Sequence, residues 1–501
     1  MILGYSVSLI IPFISLLIQY YPRFFNKYFG VDVWTRLTEA DLVRKNHHRI
    51  PERINKGFII KGRFDYPPLF PLILSYIPKK TLEQYQGFVS PFFDSIHCFA
   101  IFLIAYQLTN HIEIAIVSQL IYMLTPLVAL ENSYLTPRSF GYLNFTLAIY
   151  PLLLYSQDPR LIYLIIGCIF TTVIFLSHRF ATQSFLFIVI FFSIVDRTFF
   201  YIIVFAIGML IAIILTKGYY LRVLKGHLAN IYFWVLNYQY RFSHQVKINT
   251  NNEKKQDFVI FVYKLLSKLS PIALLGTNIW IVSAFVFLYA RIANIEFIPL
   301  ENPMFYKMTL WILFFYIFAI AVLSIKRLIP IGEGQRYIEM ATAPTSILSS
   351  VLLFSLLNSG LKHPSLYIFI FLLIVNLLII IFIQNKAVIK DKDRTLNIDM
   401  KKIYEFINNM PTIPRIMCIP HQITTMTLYN TKAEVLVNAD NEKLMTMLDF
   451  YPVIKKPIEE TAKKYQLNYL LLRESFAKIN DLKMKNPKIA FKAGDIILIK
   501  L

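Results

Sequence analysis

The residues best placed to do chemistry stand in a polar stretch just past the first apolar run, Gly30-Val31-Asp32-Val33-Trp34-Thr35-Arg36-Leu37-Thr38-Glu39-Ala40-Asp41. It leads through Arg44-Lys45 and Ile50-Pro51-Glu52 to Tyr66-Pro67-Pro68-Leu69-Phe70-Pro71. Asp32 sits at an apolar boundary, where partial desolvation makes a carboxylate a better proton acceptor. The competing reading is mechanical: Asp is a good helix N-cap and would close the start of a helix over Val33–Arg44. Glu39 and Asp41 read as solvated charges on that helix. A loop this long is uncommon unless it is functional or disordered, and its Tyr, Phe, Ile and Trp content argues against disorder.

Six other polar residues lie among apolar runs. Arg336 follows a Gly332-Glu333-Gly334 turn and opens an apolar run. A guanidinium there can hold a phosphate with two parallel hydrogen bonds, or simply snorkel at a helix end. Arg138 and the His178-Arg179 pair face the same choice between anion binding and interfacial anchoring. Asp94 and His97 fall one helical turn apart on one face. They either line a cavity or hydrogen-bond each other, and the second is preferred.

These residues need positioning elements, and the composition says of what kind. The chain has 501 residues, 56% hydrophobic and only 16% charged, against about 25% charged in a globular domain. The apolar residues are blocked into long runs, the mark of a polytopic membrane protein. The net charge of +21 therefore concerns membrane surfaces and anionic lipids; no Cys/His cluster, basic finger or RNA-binding aromatic motif points to nucleic acid. Cys98, Cys168 and Cys418 are too scattered for a disulfide framework or a metal set and read as inert thiols.

The first run, Ile2 to about Tyr20, lacks a basic n-region and a small-residue cleavage site, so a retained span is expected. Further runs cover about Phe92–Leu108, Ile112–Leu130, Phe140–Tyr155, Leu161–Leu176, Ala181–Val195 and Phe199–Thr216. After a polar gap come about Pro271–Ala290, Met308–Ile325, Tyr337–Leu357 and Leu366–Gln384. The expectation is a polytopic α-helical protein of about eleven spans. By parity, the Asp32 loop, the turn around Arg138, His178-Arg179, the long Lys217–Ser270 loop, the Arg336 turn and the C-terminal region then share one face. Short-loop charge does not orient the chain, because both faces carry basic residues.

Past about Asn385 the composition changes. Arg415–Ile419 and Glu434–Val437 read as short strands, Ile458–Lys464 as an amphipathic helix, Asn468–Leu472 as a buried strand, and Lys488–Leu501 as a hairpin turning at Ala493-Gly494-Asp495. The expected division is therefore a membrane domain over 1–384, with its first loop at 20–91, and a small soluble α/β domain over 385–501. No glycine-rich phosphate loop, internal repeat or low-complexity tract is present.

The order glycine, Asp32, Trp34, Ala40, a basic pair, Ile50-Pro51 and Tyr66-Pro67-Pro68 resembles the first extracytoplasmic loop of the GT-C superfamily of glycosyltransferases. The resemblance continues in Leu135-Thr136-Pro137-Arg138, Ser177-His178-Arg179, Gly332-Glu333 with Arg336-Tyr337, and a tail containing Lys463-Lys464-Tyr465 and Asn468-Tyr469-Leu470. It implies a GT-C-type fold and a multi-pass enzyme of the plasma membrane, with active face and tail outside the cytoplasm. The implied reaction moves a sugar from a polyprenyl-phosphate-linked donor to a glycan, lipid or protein acceptor. Asp32 would serve as general base, since displacement at an anomeric carbon needs a group to take the acceptor's proton. Arg336, Arg138, His178, Arg179, Glu333, Tyr66 and Asp94 would bind substrate, with cations receiving the charge that develops on the leaving phosphate. The resemblance fixes no cofactor and leaves a divalent cation open. The segment opened by Tyr66-Pro67-Pro68 is expected to start a short interfacial helix that shapes a carrier groove.

Two departures stand out. Arg36 occupies a position where related chains would carry histidine or a similar residue, and the WWDYG acceptor motif of oligosaccharyltransferase catalytic subunits is absent. Asparagine sequons are therefore not the expected acceptor. Among rival readings, a lipid-linked glycan polymerase or ligase differs only in the group moved. A transporter or flippase of lipid-linked glycans would also explain the spans, but the sequence shows no inverted repeat or paired broken helices. A non-catalytic assembly subunit would have lost the acid that Asp32 supplies.

Overall fold

The computed structural model describes residues 2–54, 57–241, 243–246, 270–295, 302–359 and 361–501. The chain forms two compact units. One comprises Met1–Lys27, Tyr85–Tyr220 and Tyr263–Lys390; the other comprises Tyr28–Gln84, Leu221–Val262 and Asp391–Leu501.

The first unit is helical. Its helices include Ile2–Tyr20, Val89–Thr109, Ile112–Met123, Arg138–Tyr155, Leu161–Ser177, Arg179–Val195, Phe200–Leu215, Pro303–Ser324, Thr342–Asn358 and Lys362–Gln384. Four described stretches are long and apolar enough to cross a membrane: Ser6–Phe25, Lys79–Thr109, Pro303–Ser324 and Lys362–Ile389. A fifth is added if Ser270–Thr277 and Ile279–Ile292, bent by 108°, count as one. Several expected runs are divided. Ile112–Leu130 breaks after Met123 and resumes at Pro126, where proline, which lacks an N–H, stands in the first helical turn that suits it best. Tyr337–Leu357 splits into Gln335–Glu339 and Thr342–Asn358. The core is built on aromatic packing: Phe145 meets Phe185 edge-on at 5.8 Å and lies 5.9 Å from Trp311. Trp311 Nε1 donates to Met340 O at 3.0 Å, which satisfies the one polar atom of that buried ring.

The second unit is built on a six-stranded sheet, in spatial order Phe58–Ile60, Glu434–Asn438, Arg415–Ile419, Tyr469–Arg473, Ile496–Lys500 and Lys488–Ala493. The first four run parallel, and the last two form an antiparallel hairpin. Ile416–Ile419 and Leu470–Leu472 are continuous apolar runs, as parallel strands covered on both faces require. The hairpin turns at Gly494, with φ +56°; a Cβ there would strike the Asp399 carboxylate. The helix Ile398–Asn409 is capped by Asn397, whose side chain accepts from Met400 N at 2.9 Å.

The first loop does more than connect spans. Its strand Phe58–Ile60 forms the edge of this sheet: Val435 N donates to Gly57 O at 2.8 Å and Ala439 N to Ile60 O at 3.0 Å. Its helix Val31–Lys45 buries Val33, Trp34, Leu37, Ala40 and Val43, and Trp34 lies 5.7 Å from the ring of Tyr429. Residues 28–84 thus group with the C-terminal residues instead of the helical unit, and the chain passes between units at Lys390-Asp391. The Tyr66-Pro67-Pro68 segment does open a short helix, Leu69–Tyr76. Of the expected Lys217–Ser270 loop, Tyr219–Asn237 is a helix, while 242 and 247–269 lie outside the described residues.

Candidate functional site

Asp32 stands in the first turn of Val31–Lys45. The cap position belongs to Gly30, whose φ of +113° suits glycine and whose N–H donates to Arg394 O at 2.9 Å. No side chain caps this helix, so the capping reading of Asp32 does not describe what its carboxylate does. With positions 33, 34, 37, 40 and 43 turned inward, Asp32 is turned out: it is exposed and makes no hydrogen bond or salt bridge with the described residues. It lies at the positive end of the helix dipole, and Arg36 follows one turn later in its field.

The neighbouring charges are all committed. Arg36 Nη1 lies 2.6 Å from Glu39 Oε2, and its guanidinium sits 3.9 Å over the ring of Tyr66. Asp41 pairs with Arg44 at 3.3 Å and Lys45 at 2.6 Å. Glu39 and Asp41 are therefore partly buried partners in ion pairs, correcting the expectation of solvated charges. The sequence reading missed Asp65 altogether. Buried beside Tyr66, it accepts from Asn441 N at 2.8 Å and from Asn441 Nδ2 at 3.0 Å. Next to it, Asp440 accepts from Arg63 N at 2.7 Å; burial raises its carboxyl above the usual range, and the Asp65 charge adds to this. The only local signal for Asp65 was an acid set against a rigid proline pair.

The remaining candidates belong to the helical unit. Arg138 begins Arg138–Tyr155 and is ion-paired with Glu131, closing the turn between them. His178 ends one helix and starts the next: its Nδ1 accepts from Ala181 N at 3.3 Å, capping Arg179–Val195. That assignment leaves the proton on Nε2. Arg179 opens the same helix and is half-buried. Arg336 Nε lies 2.8 Å from Glu333 Oε2 in the turn that sequence placed before a span.

Asp94 is fully buried and takes three donors: Gln19 Nε2 at 2.5 Å, Tyr122 OH at 2.6 Å and Asn132 Nδ2 at 2.9 Å. Asp94 and His97 are joined through Tyr122, whose hydroxyl also lies 2.8 Å from His97 Nδ1. With its proton given to Asp94, that oxygen accepts from Nδ1–H, and His97 Nε2 accepts from Thr146 Oγ1 at 2.9 Å. The network is closed on itself, so Asp94 presents a structural hub and offers no surface to a substrate. Tyr122→Phe removes the bridge from both partners and should cost about 1–3 kcal/mol. Thermal unfolding in detergent should show this as a lowered midpoint with the substrate KM unchanged. A raised KM would instead place the network in contact with substrate.

Among the described residues no three His, Cys, Asp or Glu side chains gather as a metal-holding set. Asp32 on its own offers one carboxylate donor.

No family model and no curated protein matches the sequence. Solved structures do match. The oligosaccharyltransferase of Archaeoglobus fulgidus in its apo form aligns with a TM-score of 0.60 at 11% identity, over 93% of this chain and 69% of that one. The oligosaccharyltransferase AglB of the same archaeon, in complex with an inhibitory peptide and a dolichol-phosphate, gives 0.51 at 10% identity, over 94% and 69%. ArnT from Cupriavidus metallidurans, in the apo state, gives 0.46 at 11% identity, over 100% and 97%. On the archaeal matches, the chain has the fold of the archaeal oligosaccharyltransferase.

Proposed function

We propose that the chain transfers a sugar from a polyprenyl-phosphate-linked donor to a glycan, lipid or protein acceptor outside the cytoplasm, with Asp32 as general base. The observation that carries this reading is the contrast within the helix Val31–Lys45. Glu39 and Asp41 are tied to partners, while Asp32, one turn from Arg36, is exposed with neither a hydrogen bond nor a salt bridge to the described residues. A capping carboxylate would be turned back to the helix N–H groups; this one is available to a reactant. The archaeal protein of the same fold, solved with a dolichol-phosphate and a peptide, supports the donor class. The absence of a WWDYG run argues against asparagine sequons as acceptor.

In the proposed reaction, Asp32 takes the proton of the acceptor nucleophile as that atom bonds to the anomeric carbon. The bond from that carbon to the lipid phosphate oxygen breaks, and the phosphate leaves with the electron pair. A guanidinium is suited to receive that charge through two parallel hydrogen bonds. Arg336 is assigned this role, with Glu333 fixing its orientation. Arg138, His178 and Arg179 are assigned to substrate binding, and Tyr66 to holding the Arg36 plane behind Asp32. The enzyme is proposed to lie in the plasma membrane with about eleven helical spans, the shorter apolar helices crossing together with the long ones. Its active face and C-terminal sheet are proposed to be extracytoplasmic.

The test is an assay of purified protein in vesicles with polyprenyl-phosphate-linked sugars. The expected result is protein-dependent release of polyprenyl phosphate, with the sugar appearing on an acceptor. Movement of the donor across the bilayer with its sugar–phosphate bond intact would overturn the reading in favour of a flippase.

A further inference from the structure

The helix Tyr219–Asn237 has two apolar faces, and the described protein covers one of them. Inward, Val223, Gly226, Phe233 and Asn237 are buried. Phe233 stacks on Tyr451 with ring centroids 6.0 Å apart, and Asn230 Nδ2 donates to Asn441 Oδ1 at 3.1 Å. Gly226 faces the Asp65 carboxylate so closely that a Cβ would collide with it. These positions recur every three or four residues, as one side of a helix does. The opposite side carries Leu221, Leu228, Tyr232 and Val235, exposed by 53%, 57%, 58% and 49%, with Lys225 between them. Their spacing places them on one continuous stripe. Large apolar side chains gathered in this way on a surface mark an interaction site.

Two further features of the same stretch identify what covers it. First, residues 217–241 contain Lys217, Arg222, Lys225 and Arg241 and no acidic residue; Lys225 lies 3.6 Å from Glu442 yet stays 74% exposed, and this basic excess matches an anionic surface. Second, only Thr216-Lys217-Gly218 separate the helix from Phe200–Leu215, an apolar helix ending at Leu215. The chain therefore passes from a short apolar helix straight into an amphipathic one. A basic helix with an aromatic and aliphatic stripe lies in the plane of a bilayer interface, its apolar side in the acyl boundary and its cations among the headgroups. Tyrosine is favoured at that depth.

We propose that Tyr219–Asn237 is an interfacial anchor that seats Leu221, Leu228, Tyr232 and Val235 in an anionic bilayer surface and fastens the six-stranded sheet unit to that surface through its buried face. This goes beyond sugar transfer and holds whichever group the protein moves.

The test uses the full chain in vesicles of phosphatidylcholine and phosphatidylglycerol, with an environment-sensitive fluorophore on Leu228→Cys or Val235→Cys. Cys98 and Cys418 are buried and Cys168 half-buried; they remain in place, and unlabelled wild type sets the background. Ile374→Cys, on an exposed position of Lys362–Gln384, reports the lipid core, and Lys488→Cys, on the exposed edge strand, reports water. Lipids brominated near the headgroup should quench labels at 228 and 235 several-fold more than at 488, and lipids brominated deep in the chain should quench them less than at 374. Iodide should quench 488 and spare 228 and 235. If 228 and 235 behave as 488 does while 374 is quenched normally, the anchor does not exist. Shielding from iodide without bromine quenching, together with cross-linking between chains, would assign the stripe to a second copy and overturn the proposal equally.

Discussion

Asp32→Asn should leave the protein folded and its donor binding intact while turnover falls by about 10²–10⁴-fold, the contribution of a positioned general base. The substitution keeps the shape of the side chain and removes only the ability to take a proton. Its cost in stability should be small. Asp32 makes no hydrogen bond or salt bridge to the described residues, so what is lost is a carboxylate at a helix N-terminus, worth about 0.3–1 kcal/mol. The two roles therefore separate in one variant. Asn caps helices as well as Asp, so a purely structural Asp32 predicts normal activity in the Asn protein. Single-turnover transfer, measured beside donor binding and the unfolding midpoint, decides between them. Near wild-type transfer by the Asn variant would remove Asp32 from the chemistry.

The apolar runs were legible as helices, and four of the described stretches are long and apolar enough to cross a membrane. The breaks within them were less so. Pro126 was a visible signal for the one after Met123, and Gly276 stands two residues before the one at Asn278. The strands of the C-terminal sheet were readable as apolar runs between turn residues. The edge strand Phe58–Ile60 was not: it has three residues, too few for a period, and its partner Glu434–Asn438 is far along the chain. The helix Tyr219–Asn237 was hidden by Arg222, Lys225, Gly226 and His227, although Val223, Gly226, Phe233 and Asn237 keep a helical period. Among the candidate residues, the one-turn spacing of Asp94 and His97 suggested a direct hydrogen bond, and the structure instead joins them through a third residue. The bridging hydroxyl comes from Tyr122 on the next helix, and nothing in the spacing announces it. Charge partners fared worst. The pairing of Arg36 with Glu39 was available from their i, i+3 positions, but the ring of Tyr66 above that guanidinium comes from a distant part of the loop.

Arg336→Ala should lower kcat/KM by roughly ten- to a hundredfold, the equivalent of a charge-assisted hydrogen bond worth about 1.5–3 kcal/mol. Part of the loss should appear as weaker donor binding, because the phosphate is already anionic in the ground state. The rest should appear in turnover, because charge increases on that phosphate as the sugar leaves. The structure refines this expectation. Glu333 Oε2 lies 2.8 Å from Arg336 Nε, so one edge of the guanidinium faces a carboxylate and its orientation is set. Glu333→Gln should keep the charge on Arg336 and loosen its aim, giving a smaller loss than Arg336→Ala. Arg336→Lys separates recognition from simple anchoring. A snorkelling cation at a helix end needs only charge and reach, which lysine supplies in full. Recognition of a phosphate by a planar fork held against Glu333 needs the fork, which lysine lacks. The lysine variant should therefore recover part of the donor affinity and little of the turnover. A lysine variant with wild-type kcat/KM would show that Arg336 anchors the helix and that the leaving phosphate is received by another cation.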